Sequence, residues 1–153
     1  MIKIGIIDEY KQKPFGKLLK SLAANTSLEV YEDARRALDL LLVVKVPDEG
    51  ISYIPSSPKI VIANSDDKQV LHFISSIKSQ IITYGLNPKA AVTVSSHIDD
   101  GRYVVCVQRA MISIFGVPIL PQEFSVDINS FFTCTIRCPR RNRFKISCSE
   151  LSG

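Results

Sequence analysis

Short β-branched runs separated by amphipathic stretches dominate the first 85 residues of the chain. Such runs, when they end in a polar residue or glycine, are typical of strands that are buried on both faces of a parallel sheet. The predicted strands cover residues 2–8, 28–31, 39–46, 59–63 and 81–84. The first of them reads as a central strand, because it is almost continuously apolar.

Apolar residues at helical spacing follow two of these strands and predict two helices. The first helix begins at Pro14 and ends at Asn25, with Lys17 on its polar face; the second follows an N-cap at Ser65 or Asp66. Their apolar positions are Phe15, Leu18, Leu19 and Leu22, then Val70, Leu71, Ile74 and Ile77. Strands that alternate with helices predict an α/β fold with a mainly parallel sheet and flanking helices.

The pattern changes after Pro88, where strand-like segments follow one another without a helix. These segments cover residues 91–96, 103–114 and 119–128, and they predict a small antiparallel β-meander subdomain. If the two longer strands pair around the turn between them, Arg109 and Glu123 are cross-strand neighbours. The alternative is that these polar residues form a binding strip.

Composition supports a single globular unit followed by a basic extension. The chain has 153 residues, of which 46% are hydrophobic and 22% charged, and this balance excludes collagen-like and disordered classes. We expect one α/β domain over residues 1–128, with 91–128 as its meander part, and a tail over 129–153. The tail has no clear hydrophobic period.

The net charge of +4 points to an anionic partner only through that tail. Five cations and three phenylalanines lie there, and without these cations the charge becomes about −1. They are Arg137, Arg140, Arg141, Arg143 and Lys145, with Phe131, Phe132 and Phe144. A nucleic-acid accessory function is thus one alternative, although a solvated tail is the simpler interpretation and no nucleic-acid motif accompanies the charges.

The compartment and the cysteines follow from local features. Asp8 interrupts the apolar run after Met1, and no segment is long enough to span a bilayer, so we expect a cytoplasmic protein that does not enter a membrane. Cysteines there are reduced, and Cys106 reads as a small core residue. Three further thiols could supply three zinc ligands, but free thiols are the simpler interpretation. They are Cys134, Cys138 and Cys148.

Four stretches, taken in order, resemble the central ATP-binding domain of the Mur ligases, which join amino acids to a nucleotide-sugar precursor of peptidoglycan. They are the strand, loop and helix of 2–24, VVKVPDEGI at 43–51, IVIANSDD at 60–67, and IITYGLNPKAAVTVSSHI at 81–98. The resemblance extends over residues 2–128, about four fifths of the chain. The third and fourth stretches are the specific ones.

The chain departs from that family where its chemistry resides. A phosphate loop needs two glycines, a lysine and a hydroxyl, so that backbone N–H groups and Mg²⁺ can hold the phosphates. Gly16 and Lys17 supply only the Gly-Lys pair, since Lys11 stands at the first glycine and Leu18 at the hydroxyl. Lys45 stands where the family has a Mg²⁺-binding Glu. The resemblance therefore implies a short, non-catalytic form that uses no cofactor.

The candidate ligand contacts lie where strands of an open α/β sheet end. The resemblance implies that Asn64, Asp66 and Asp67 lie near a base or ribose, with Lys17 and Lys45 as further contacts. The alternative is that the three side chains after the strand only cap the next helix and complement its dipole.

Other polar residues carry weaker predictions. Asp8 and Glu9, at the end of the first strand, are either ordinary loop acids or polar contacts for a ligand. His72 and His97 have no partner at metal-ligand spacing, so we expect no metal site there.

Taken together, these patterns predict a binding protein for a nucleotide, a nucleotide-sugar or a protein partner, the last including a second copy of the chain. The alternative from another class is one part of a split ATP-dependent ligase, whose remaining domains come from a separate chain.

Overall fold

The computed structural model describes residues 1–10, 13–24, 26–32, 34–53, 57–98 and 101–127, together with two short strands beyond them. The strands are β1 (Ile2–Asp8), β2 (Leu28–Tyr31), β3 (Leu40–Lys45), β4 (Ile60–Asn64), β5 (Gln80–Tyr84), β6 (Val92–Ile98), β7 (Arg102–Val107), β8 (Met111–Ile112), β9 (Pro118–Ile119), β10 (Gln122–Asp127), β11 (Thr135–Ile136) and β12 (Phe144–Lys145). The helices are α1 (Pro14–Ala23) and α2 (Lys68–Ile74). The helix end at Asn25, the tail cysteines and the basic side chains of the tail lie outside the described residues.

Eight strands form one mixed sheet in the order β10-β7-β6-β5-β4-β3-β1-β2. The strands from β2 to β6 are parallel, and the β6–β7 and β7–β10 pairs are antiparallel. This arrangement confirms the α/β class and the mostly parallel sheet.

The antiparallel strands do not stand apart as the sequence predicted, because three of them extend the main sheet. The connection from β5 to β6 is short, and Tyr84 pairs directly with Val92, so β6 joins the parallel strands. The separate antiparallel pairs are β8 with β9 and β11 with β12. No described helix is long and apolar enough to cross a membrane.

One face of the parallel strands is covered by α2 and by residues 34–38. The register places Leu41 beside Val61 on this face, where both side chains are fully buried. Val70 of α2 and Ala34 and Leu38 of the covering segment complete the cluster. Alternation along each strand accounts for this division, since successive side chains point to opposite faces.

The opposite face is covered by α1 over β1 and β2, and by the β8–β9 hairpin over β4 and β5. Ile60 and Ile82 form a second buried cluster there, against which Met111 and Ile114 pack. Gly16 of α1 faces Ile6 of β1, and a Cβ added at Gly16 would lie 4.0 Å from Ile6 Cγ2, so this contact leaves room for a methyl group.

The N-cap predicted for α2 at Ser65 or Asp66 is wrong. The cap is Asp67, whose Oδ1 accepts hydrogen bonds from the backbone N–H groups of Gln69 at 2.8 Å and Val70 at 3.4 Å. The Asp66 carboxylate instead accepts hydrogen bonds from the N–H groups of Leu86 and Asn87 in the β5–β6 loop.

The predicted pairing of Arg109 with Glu123 is also wrong. Strand β7 ends at Val107, and the register sets Glu123 opposite Cys106. Arg109 lies beyond the ladder, where its guanidinium donates a hydrogen bond to the Lys89 carbonyl.

Candidate functional site

A cleft of about 240 Å³ opens at the place in the parallel sheet where successive connections between strands lead in opposite directions. Strand β1 lies between β2 and β3 in the sheet. The connection after β1 therefore leads towards β2 on one side, whereas the connection after β3 leads towards β4 on the other side. Open α/β sheets bind ligands at such a switch point, beyond the carboxyl ends of the strands. The polar and aromatic residues of the cleft are Asp8, Glu9, Lys13, Glu32, Arg35 and Tyr53.

Asp8 is a buried carboxylate at the base of this cleft, with only 5% of its surface exposed. Its Oδ1 accepts a hydrogen bond from the Tyr10 N–H and its Oδ2 accepts one from the Phe15 N–H, each at 3.2 Å. A register shift in the β1–β3 ladder between Ile7 and Asp8 accompanies this turn of the chain.

The Phe15 N–H belongs to the first turn of α1, which lacks a cap of its own. The N-cap residue is Lys13, in the left-handed region at φ 45°, and its side chain makes no capping hydrogen bond. Pro14 follows and has no N–H to satisfy. The Asp8 carboxylate therefore occupies the place at a helix N-terminus where an α/β protein would hold a phosphate.

Ion pairs fix the charge at the mouth of the cleft. The Glu32 carboxylate pairs with the ammonium groups of Lys20 and, at 3.8 Å, of Lys13. The hydrogen bond from Lys20 lowers the pKa of Glu32, and the positive charges of Lys20 and Lys13 act in the same direction. Glu32 is thus ionised at neutral pH and partly neutralised by its partners.

An aromatic ring forms another wall of the cleft. The Arg35 guanidinium carbon lies 5.0 Å from the centre of the Tyr53 ring, within the range of a cation–π contact. Tyr53 is half-buried and also packs against the core cluster beneath it. The ring thus contacts both the core cluster and the Arg35 guanidinium, near the ion pairs.

Lys45 lies next to Asp8 in the sheet, because the two residues pair across the β1–β3 ladder. Its ammonium nitrogen lies 5.3 Å from the centre of the Tyr10 ring. At the position where the resemblance places a Mg²⁺-binding carboxylate, the chain therefore has a cation, Lys45, which contacts an aromatic face. A cation there repels a divalent metal.

The polar residues at the end of β4 and just after it make hydrogen bonds to the segments at the ends of neighbouring strands. The Asn64 side-chain N–H donates to the Val44 carbonyl at 3.3 Å, and its Oδ1 accepts from the Asp66 N–H at 3.0 Å. The Asp66 carboxylate accepts from the N–H groups of Leu86 at 2.8 Å and Asn87 at 2.9 Å. These bonds join the ends of β3, β4 and β5.

The five ligand contacts predicted from the sequence line neither of the two cavities described in this subsection. Asn64 ends β4, Asp66 and Asp67 follow it, and Lys17 is exposed on α1. None of them, nor Lys45, lines the switch-point cleft. Asp8 and Glu9 do line it, in agreement with the weaker prediction that they lie near a ligand.

Sequence reasoning missed the rest of the cleft. Lys13, Glu32, Arg35 and Tyr53 come from separate connections, and no motif links them. The signal that could have found them is the strand order, because it identifies which connections border the switch point.

A second, wider cavity of about 560 Å³ lies between α2 and the turn after β3. It shares Pro47, Gly50 and Ile51 with the switch-point cleft, and His72 lies on its rim. Within the described ranges, no three His, Cys, Asp or Glu side chains are grouped so as to hold a metal ion.

No family model, no curated protein and no solved structure matches this chain. The geometry by itself defines the class: an α/β protein with a doubly wound parallel region, a switch-point cleft, and a helix N-terminus bound by a carboxylate of the chain.

Proposed function

We propose that this chain is a non-catalytic binding protein, with a core like that of a Mur ligase central domain, which holds a small polar ligand in the switch-point cleft. The ligand class is a nucleoside or the nucleoside part of a nucleotide-sugar. The observation that carries the proposal is the contact of the Asp8 carboxylate with the first turn of α1.

That contact argues for a ligand held by its uncharged part. A phosphate at the N-terminus of α1 would have to displace a buried carboxylate or lie beside it, and two anions at such short distance repel each other strongly. The base and sugar carry no such charge. The chain therefore binds the nucleoside portion, with any phosphate directed to solvent.

The remaining groups of the cleft suit hydroxyl groups and a flat ring. The carboxylates of Glu9 and Glu32 are exposed and can accept hydrogen bonds from sugar hydroxyls. Tyr53 provides a half-buried aromatic ring, and a base that stacks on its face takes the place of the Arg35 guanidinium. A volume of about 240 Å³ accommodates part of a nucleotide-sugar, with the rest outside the cleft.

A thermal-shift series with adenosine, uridine, ATP and a uridine diphosphate sugar, each with and without Mg²⁺, tests this function. A ligand at 100 times its Kd adds about 2.7 kcal/mol to the free energy of unfolding. For a chain of this size, that gain raises Tm by roughly 5–10 °C. We expect the nucleoside to stabilise at least as well as its triphosphate, and Mg²⁺ to change nothing.

Two matched substitutions locate the site. Tyr53→Ala removes the aromatic wall and should abolish the shift, whereas Lys17→Ala, outside the cleft, should retain it. Asp8→Asn removes the charge next to α1 and should improve the binding of ATP relative to adenosine. A shift that survives in Tyr53→Ala, a requirement for Mg²⁺, or hydrolysis of ATP would each contradict the proposal.

A further inference from the structure

Strand β10 forms one free edge of the eight-stranded sheet. Its inner side pairs with β7 through six consecutive positions, from Gln122 opposite Val107 to Asp127 opposite Arg102. No other described strand pairs with its outer side. An edge of this kind offers backbone donors and acceptors in the spacing that a further strand requires.

Strand β10 lacks the lysines, prolines and bulges that protect many edge strands, although positions 123 and 127 are acidic. Its sequence QEFSVD contains no lysine and no proline, and its register is unbroken. At the opposite edge, β2 has only four residues, and α1 packs against it. Proteins generally blunt exposed edges with charged residues, lysine above all, with prolines, bulges or short strands, or with a covering helix or loop. The open edge of β10 is therefore a surface for pairing.

An apolar row ends at this edge. Val94, Val105 and Phe124 lie opposite one another on β6, β7 and β10, so their side chains share one face of the sheet. Phe124 is 46% exposed, because no strand lies beyond it among the described residues. Large exposed hydrophobic residues are also concentrated just before it, at Ile112, Phe115, Val117 and Leu120. Exposed apolar residues grouped in one region mark interaction surfaces.

We propose that β10 pairs antiparallel with β10 of a second copy of this chain, about a twofold axis that passes through Phe124. The two phenylalanines then lie opposite each other, and the apolar row continues from Val94 of one copy to Val94 of the other. Cross-strand aromatic pairs are among the stabilising pairs of antiparallel sheets. A twofold axis makes the contact closed, so association stops at the dimer.

The charges of the strand select this register. With Phe124 at the axis, Glu123 of each copy faces Ser125 of the other. An axis at Glu123 would set two carboxylates opposite each other, and an axis at Ser125 would oppose position 123 to position 127, which is also acidic in the sequence. Like charges directly opposite destabilise a sheet. Of the three central registers, only one brings the phenylalanines together without such a clash.

Six paired residues extend about 20 Å, so the dimer is a weak one. Sedimentation of the full chain from about 10 μM to about 1 mM, a range that covers weak protein interfaces, should show a monomer–dimer equilibrium. Phe124→Lys places two ammonium groups at the axis and should abolish the dimer. Leu71→Lys makes the same kind of change at an apolar residue that is 37% exposed on α2, away from β10, and should leave the dimer intact.

A mixing experiment tests the register itself. Phe124→Lys and Phe124→Glu should each be monomeric, with melting curves that show a folded protein, and an equimolar mixture should form the heterodimer. A wild-type chain that is monomeric throughout the range overturns the proposal. This is the result expected if residues 128–153 of the same chain cover the β10 edge. Persistence of the dimer in Phe124→Lys, or failure of the two variants to associate, overturns it equally.

Discussion

The parallel and antiparallel regions of the one sheet differ in how far their side chains are buried. Apart from Val107, every buried apolar residue among those described lies at Ala91 or before it. The strands β3 and β4 are covered on both faces, whereas the side chains of β6 and β7 are mostly half-buried or exposed. The first region thus supplies the stability of the fold, and the second supplies surface.

This difference separates two kinds of binding. The switch-point cleft lies at the carboxyl end of the well-buried strands, where rigid elements can hold a small ligand in place. The β10 edge lies in the exposed region, where no other described strand pairs with its outer side and Phe124 is 46% exposed. The two proposals therefore rest on different regions, and each can fail without the other.

The largest expected effect is the loss of a buried leucine from the parallel region. Leu41→Ala empties a fully buried position and should lower the free energy of unfolding by about 2–5 kcal/mol. Leu120→Ala makes the same change where the side chain is 65% exposed, near the β8–β9 hairpin, and should cost less than about 0.5 kcal/mol. Urea unfolding of both variants measures the difference, and equal losses would show that the two regions do not differ as described.

Much of the parallel region could be predicted from the sequence, because strands buried in a parallel sheet have nearly continuous apolar sequences. Ile2–Asp8 is confirmed as β1, and the run at 39–46 contains β3. The helix from Pro14 is confirmed as well, since its apolar positions repeat at helical spacing. Local patterns of this kind are set by which side of each element meets the core.

The candidate site was less accessible to sequence reasoning, because it depends on strand order. Tyr53 and Arg35 approach each other only when β1 separates β2 from β3. Likewise, Asp66 reads as a cap next to its own helix, and only the fold shows that it binds the N–H groups of residues 86 and 87. A short polar cluster in the sequence does not indicate which distant backbone N–H groups its side chains will bind.

A smaller effect tests how closely the parallel strands are covered. A Cβ added at Gly5 would overlap the Cδ1 atom of Leu38 and lie 3.3 Å from Cδ1 of Leu41. Because Leu38 is buried, we expect Gly5→Ala to cost about 1–3 kcal/mol through overpacking.

Gly16→Ala is the matched control for that substitution. Its added Cβ would meet only Ile6 Cγ2, at 4.0 Å, and alanine favours the helix over glycine. The expected result is a gain of about 0.5–1 kcal/mol. A urea midpoint that stays unchanged or rises in Gly5→Ala would contradict the close packing described at Gly5.

The last prediction concerns charge, since all three ion pairs found within the described segments belong to the parallel region. The Asp39 carboxylate accepts a hydrogen bond from the Lys3 N–H at 3.0 Å and pairs with the Lys59 ammonium at 3.0 Å. The bond from Lys3 lowers the pKa of Asp39 below its ordinary value of 3.8, and Lys59 adds to the shift. These contacts hold together the beginnings of β1, β3 and β4.

The sign of the pH effect follows from that lowered pKa. The folded chain holds the ionised form more strongly than the unfolded chain, so Asp39 contributes stability above the unfolded pKa and loses it as the pH falls through the folded value. Asp39→Asn should therefore lower Tm at pH 7, and its difference from the wild type should shrink as the pH falls below the ordinary Asp39 pKa of 3.8. Asp48→Asn, at an exposed carboxyl in the turn after β3, is the control and should leave the acid limb of the Tm profile unchanged. If the difference in Tm between Asp39→Asn and the wild type stays constant from neutral to acid pH, the ionised carboxylate does not hold these strands together.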